Sequence, residues 1–293
     1  MEKMTEISVK AYAKLNISLD VTDKRPDGFH NMVMVMQAVS LCDDINIRLT
    51  DTGHVLARSN MHFIPGDARN LAVRAALRYL EEIGESGQGA ELNMVKRIPV
   101  GAGMGGGSSD AAAVLRGFNE LYGGRLSEQR LEEIAGEVGS DVPFCVRGGT
   151  ALAKGRGEIL STLPELPDCT FVICKPEFST STPELFKKLD MVRLHHHPDT
   201  AGIIAALESR DLTQICRRMY NVFEDVDDRR MKTISEIKSK LLDCGALGAV
   251  MTGTGSAVFG IFTDAQSAEN ARAALDGDYA FSCTAKPVQK HAR

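Results

Sequence analysis

The sequence predicts an α+β protein in two halves, with its functional site in the cleft between them. Three observations carry this. Short β-branched and apolar runs, which read as strands, interleave with amphipathic helical segments along the whole chain. One glycine-rich stretch, Pro99 to Ala113, runs straight into a helix start. A polar turn region from Pro176 to Pro183 divides the pattern into domains at residues 1–175 and 176–293.

In the first half, Ile7 to Leu19 reads as a strand carrying Lys14 and Asn16. Arg25-Pro26-Asp27-Gly28 is a turn, and Met32–Leu41 and Asp44–Leu49 read as two further strands. Asn70 caps a helix through Ile83, with Val73, Leu77 and Leu80 at helical spacing. Glu91–Val95 leads as a strand into the glycine-rich stretch. Ser108-Ser109-Asp110 supplies cap chemistry for the helix that follows, which ends near Gly123-Gly124. Ser127 caps the next helix, with Leu131, Ile134 and Val138 on one face; Pro143 prevents its continuation. Gly148–Lys154 and Cys169–Cys174 read as strands. In the second half, helices are expected at Pro183–Leu189, Thr200–Leu207, Leu212–Tyr220 and Arg230–Asp243. Strands at Ala249–Met251 and Ala257–Phe262 flank a second glycine cluster, Thr252 to Ser256. Asp264 caps a last helix, and a strand near Tyr279–Thr284 follows it.

Composition excludes several function classes. Hydrophobic content of 43% and charged content of 25% are those of a soluble globular chain. A net charge of −5 argues against general nucleic-acid binding, yet leaves an anionic small molecule open because local cations outweigh the global sign. No run approaches the ~20 apolar residues of a membrane span, and the N-terminus lacks the apolar core of a secretory signal. The seven cysteines are odd in number and form no C-x-x-C pair. They read as reduced thiols of a cytoplasmic protein, with no disulfide framework and no zinc site. His195-His196-His197 reads as a solvated loop, since three adjacent histidines do not face one ion. Nothing points to an obligate protein partner.

The chemistry concentrates in the glycine-rich stretch. Five glycines fall within Gly101 to Gly107. Glycine allows positive φ and lets a ligand approach bare amides. A loop of exposed N–H groups opening onto a helix N-terminus binds anions. The natural ligand for so long a cradle is the triphosphate of a nucleotide. The dinucleotide fingerprint fails, because the acidic residue expected ~20 positions on falls at Glu120, inside a helical pattern. A Walker loop fails too, because no lysine precedes Ser108-Ser109. Phosphoryl transfer also needs a cation on the developing charge and a carboxylate near the attacking hydroxyl. Lys14, a charge in an otherwise apolar run, and Asp141 supply these parts.

Five segments in order, Ala11–Asn16, Arg25–His30, Pro99–Ala112, Gly139–Phe144 and Met251–Ser256, resemble the GHMP kinase superfamily over nearly the whole chain. The resemblance implies an N-terminal domain with a left-handed β-α-β unit and a C-terminal α+β domain. It implies Lys14 and Asp141 as the catalytic pair. ATP would lie on Pro99, Val100, Gly101, Ala102, Gly103, Met104, Gly105, Gly106, Gly107, Ser108 and Ser109, with the adenine near Asn70, Leu71 and Lys96 and with Mg²⁺ reached by Ser108. The segment Arg25–His30 is most similar to the branch that phosphorylates the 2-hydroxyl of 4-diphosphocytidyl-2-C-methyl-D-erythritol in the non-mevalonate isoprenoid pathway. In that branch Asn16, Phe29, His30 and Phe186 would contact the small-molecule substrate, with Phe29 and Phe186 stacking on the cytosine and His30 bonding its edge. Phe29 stands where tyrosine is common, and Ala102 and Met104 where glycine and leucine are. A homoserine or mevalonate kinase, or a ligand sensor without catalysis, is the alternative; the intact lysine, aspartate and loop argue against the sensor.

Overall fold

The computed structural model describes residues 4–226 and 228–290. Two long strands, β1 (Glu6–Lys24) and β2 (His30–Thr50), form an antiparallel hairpin that runs through the N-terminal half. Its turn is closed by Arg25 N donating to Phe29 O at 2.7 Å, with Gly28 at φ 84°. Bulges near Tyr12, Ile17 and Thr22 bend the hairpin. The bend lets β2 change partners along its length. The two strands expected at 32–41 and 44–49 are therefore one continuous strand. Its first part, Met32–Gln37, pairs with β5, and its last part, Asp44–Thr50, pairs with β4.

Beyond β2 the chain adds β3 (Val55–Ser59), α1 (Leu71–Glu82) and β4 (Gly89–Val95). β3 and β4 are parallel, so α1 is a crossover between them. Asn70 caps α1 as expected, its side chain accepting from Ala72 N. The central helix α2 (Gly106–Leu121) starts earlier than its cap chemistry suggested. Its N-cap is Gly105 in the left-handed region, with no side-chain cap, and not the Ser108–Asp110 segment. Ser127 does cap α3 (Glu128–Val138). A short α4 (Val142–Arg147) follows, with Pro143 in its first turn. Proline there lacks only an N–H that a helix start leaves unpaired anyway, so it opens a helix as well as barring the previous one. β5 (Thr150–Gly155) and β6 (Ile159–Thr162) complete the N-terminal half.

The C-terminal half is built on a second sheet. It begins with β7 (Thr170–Lys175), every residue of which is buried. Then come α5 (Thr182–Leu189), α6 (Thr200–Glu208), α7 (Leu212–Arg217), β8 (Tyr220–Asn221), a 3-10 turn at Val222–Asp225 and α8 (Met231–Asp243). β9 (Gly248–Met251), β10 (Val258–Phe262), α9 (Ala265–Leu275) and β11 (Phe281–Ala285) follow. The sheet order is β11-β7-β10-β9, all antiparallel. Because β7 lies in this sheet, sheet membership divides the halves between β6 and β7, ahead of the boundary expected at 175/176. β8 crosses back to pair in parallel with β1. The first sheet thus runs β3-β4-β2-β1-β8, with β5 attached to β2 and β6 to β5. One buried cluster includes Met34, Ala112, Leu185, Phe223 and Met251, so the two halves share a core. All seven cysteines are unpaired, and no described helix is long and apolar enough to cross a membrane.

Candidate active site

A cleft of about 950 Å³ opens between the halves and is lined by the segments the sequence singled out. At its floor lies the glycine-rich loop. Gly101, Gly103 and Gly105 have φ of 65°, 75° and 68°, which explains their identity. The alternate side chains, Ala102 and Met104, are buried, so the loop anchors through them and leaves backbone to the cleft. Gly103 is the tightest point: a Cβ there would sit 2.1 Å from Thr252 O, against the second glycine cluster. Ala257 N donates to Ala102 O and Lys14 N to Met104 O, both at 3.1 Å. The loop is thereby strapped to both halves of the molecule. Gly106 is not in the left-handed region; it is the first residue of α2.

The first turn of α2 faces the cleft through Gly106, Gly107 and Ser108. Its unpaired amides and dipole favour an anion there. Ser109 does not join them. Its hydroxyl donates to Gly105 O at 3.0 Å, its amide bonds the same carbonyl, and the residue is buried. Ser109 is therefore a helix residue and does not line the cleft. Below the loop, Lys96 Nζ donates to Asp43 and, at 2.5 Å, to Asp110 Oδ2. Asp43 Oδ1 also accepts from the amides of Arg97 and Ile98. Burial, with Asp43 adding to it, pushes the Asp110 carboxyl up to about 7 against the pull of Lys96. Lys96 lines the cleft beside Asn70 and Leu71, and its ammonium is committed to this triad, so it supports the loop from beneath. Asn70 lines the wall with Leu71. Both ends of its amide are used: Oδ1 caps α1 and Nδ2 donates to Pro65 O at 2.9 Å.

Lys14 and Asp141 meet in the middle of the cleft. Lys14 Nζ is 3.4 Å from Asp141 Oδ2 and donates to Asn16 Oδ1 at 2.8 Å. Lys14 is buried in the middle of β1, whereas Asp141, at the N-terminus of α4, is 30% exposed and open to a ligand. Asn16 itself is fully buried. Its amide N donates to Thr252 Oγ1, and Nδ2 contacts Met34 Sδ. Asn16 therefore orients the Lys14 ammonium from behind and, expected as a substrate contact, does not reach the cleft wall.

The far end of the cleft is aromatic. Phe29 is 53% exposed at the tip of the β1–β2 turn, with the Arg156 guanidinium 5.1 Å above its ring. The His30 ring stacks on Phe186 at 4.7 Å and 24°. Phe223 meets Phe186 edge-on at 4.9 Å. One face of Phe186 is thus covered by His30, so Phe186 serves as the platform for that ring. His30 Nε2 lies 2.6 Å from Asp190 Oδ1. Asp190 and Arg156 escaped the sequence reading, because a single charge ~130–160 residues from its partner leaves no periodic signal. The histidine run is an exposed loop, and within it His197 Nδ1 lies 2.7 Å from Asp20 Oδ1. No group of three metal-ligating side chains is gathered among the described residues.

Comparisons with known proteins agree with this geometry. The family model for the GHMP kinases N terminal domain matches residues 70–149, and that for the GHMP kinases C terminal matches residues 203–280. A 4-diphosphocytidyl-2-C-methyl-D-erythritol kinase from Syntrophomonas wolfei is 45% identical over 91% of this chain and 93% of its own length. One from Clostridium novyi is 42% identical over 89% and 92%. A solved 4-(cytidine 5'-diphospho)-2C-methyl-D-erythritol kinase superposes with a TM-score of 0.80 at 31% identity, covering 96% of this chain and 99% of that one. A homoserine kinase from Cytophaga hutchinsonii, at 24% identity and a TM-score of 0.78, shares the fold. With both halves of the family matched and the cradle, lysine and aspartate assembled in one cleft, the chain belongs to the GHMP kinases, grouped with the 4-diphosphocytidyl-2-C-methyl-D-erythritol kinases.

Proposed function

We propose that the chain transfers the γ-phosphoryl group of ATP to the 2-hydroxyl of 4-diphosphocytidyl-2-C-methyl-D-erythritol. One observation carries the reading: the Lys14–Asp141 pair stands between an anion cradle and an aromatic pocket in a single cleft. The cradle amides and the α2 N-terminus hold the triphosphate, with the adenine against Asn70 and Leu71. Phe29 stacks on the cytosine, and His30, supported on Phe186, reads its edge. The acceptor hydroxyl is placed at Asp141, which orients it and accepts its proton. Lys14 faces the γ-phosphoryl oxygens, where charge develops in the transition state. Asn16 removes rotational freedom from that ammonium, so its position is set before the reaction.

The Ser108 hydroxyl at the cleft suits a Mg²⁺ ion that arrives on the triphosphate, since Mg²⁺ is held by few protein oxygens and substrate phosphates. Bound there by Ser108 and phosphate oxygens, it would neutralise charge on the triphosphate. The test is turnover of ATP with a panel of 4-diphosphocytidyl-2-C-methyl-D-erythritol, homoserine and mevalonate. The cytidine compound alone is expected to be phosphorylated. Equal or better turnover of homoserine or mevalonate overturns the reading.

A further inference from the structure

The recognition turn and the end of α5 meet at one carboxylate. Asp190 Oδ2 accepts from Lys24 Nζ at 2.5 Å, and Oδ1 is bonded to His30 Nε2 at 2.6 Å. Lys24 is the last residue of β1 and His30 the first of β2. One carboxylate therefore ties both stems of the turn that carries Phe29. It does so from the C-terminal half, at the end of the helix that carries Phe186.

We propose that Asp190 is a positioning residue for base selection: it holds His30 with Nε2 protonated and Nδ1 as an acceptor, which favours a pyrimidine with an amino group at position 4 over one with a carbonyl there. This rests on the functional reading above.

The chain of reasons is short. Lys24 first, and then His30, hold the Asp190 carboxyl below the usual carboxylate range, so it is ionised near neutral pH. An ionised carboxylate only accepts, so Nε2 is the donor of that bond. In a neutral imidazole the other nitrogen is then the acceptor, and Nδ1 has no partner among the described residues. An acceptor pairs with the amino group of cytosine, whereas uracil presents a carbonyl oxygen at that place. Phe186, held edge-on by Phe223, sets the plane of the His30 ring, and Asp190 sets its rotation. His30 is mostly buried, with 9% of its side chain exposed. A buried group left unpaired penalises the wrong base.

The competing account is a plain ion pair at the cleft rim, where Asp190 is 28% exposed and such pairs contribute little. That role moves stability and not base choice. The test titrates CDP and UDP calorimetrically into the full chain, saturated with a non-hydrolysable ATP analogue, for the unmodified protein, Asp190→Ala and Asp190→Asn. Melting temperatures are recorded alongside. The unmodified protein is expected to favour CDP by about tenfold or more. Asp190→Ala should lower that ratio by about tenfold through CDP alone. Asp190→Asn, whose amide oxygen still accepts from Nε2, should keep most of it. In turnover, Asp190→Ala should raise KM for the cytidine substrate and leave kcat and the KM for ATP in place. An unchanged CDP-to-UDP ratio in Asp190→Ala, equal weakening of both ligands, or no CDP preference in the unmodified protein overturns the proposal. The functional reading fails on a different result, inactivity of the unmodified protein with the cytidine acceptor.

Discussion

The two ends of the cleft are built in opposite ways. The proposed nucleotide end is backbone: a contiguous loop in which Gly101, Gly103 and Gly105 have φ of 65° to 75° and the side chains of Ala102 and Met104 are turned into the core. It rests on a buried triad of Lys96, Asp43 and Asp110. The proposed acceptor end is side chain: Phe29, His30, Phe186 and Asp190, drawn from both halves and partly open to solvent. On the proposed assignment, the difference follows from what each end binds. Phosphates are alike in every nucleotide, and fixed amides suit them. A particular base needs donors and acceptors at chosen places, which side chains provide.

The sharpest way to separate the two ends is to disable the pair between them. Asp141→Asn should lower kcat by about 10²–10⁴-fold, the usual cost of removing a group in proton-transfer work. ATP affinity should change little, because Asp141 is assigned to the acceptor hydroxyl and the cradle amides to the triphosphate. Single-turnover kinetics with calorimetric ATP binding measure both; near-normal turnover in the folded variant removes Asp141 from the mechanism.

The cradle should fail to a single methyl group. In Gly103→Ala the new Cβ would meet Thr252 O at 2.1 Å, in a backbone region that disfavours any side chain. ATP affinity is expected to fall by more than about tenfold, or ~1.4 kcal/mol, with affinity for CDP at the other end retained. Unchanged ATP binding would mean that the loop relaxes freely and is no rigid cradle.

The acceptor end should tolerate change more gracefully. Phe29→Ala should weaken the cytidine substrate by about 1–3 kcal/mol, the range for losing a ring stacked on a base, and leave ATP unaffected. Phe29→Tyr keeps the stacking face and should be nearly silent. Equal weakening of both ligands would indicate general destabilisation.

Asp110→Asn is expected to have the smallest effect on activity and to be read through pH. The Asp110 carboxyl is raised from 3.8 to about 7 in the folded protein. Between those values the folded state holds more protons than the unfolded one, so this group's contribution is fullest below about pH 4 and is lost as pH rises towards 7. Urea unfolding across that window should show a shallower fall of stability with pH in Asp110→Asn. An identical slope would mean that Asp110 does not titrate there.

Much of this was legible beforehand, and the pattern of misses has a cause. The helices at Asn70, Ser127 and Asp264 were readable because each begins with a side chain that caps its own backbone within three residues. The α2 start leaves no such signal, because Gly105 caps it by conformation alone. β2 read as two strands because its change of partner, from β5 to β4, follows from a bend in the hairpin. The sheet that β7 joins is not legible in the sequence, because its neighbours in space, β10 and β11, lie more than 80 residues further along.

The sequence by itself determined the family, the cradle and the Lys14 and Asp141 candidates. Those features are local runs, in which spacing along the chain implies position in space. Only the tertiary structure decided that Lys96 is spent on two carboxylates, that Ser109 and Asn16 face inward, and that Asp190 fastens His30. Each of those outcomes depends on which distant charge or carbonyl a side chain meets. Long-range contacts made by one residue from each end carry no period for a sequence to display.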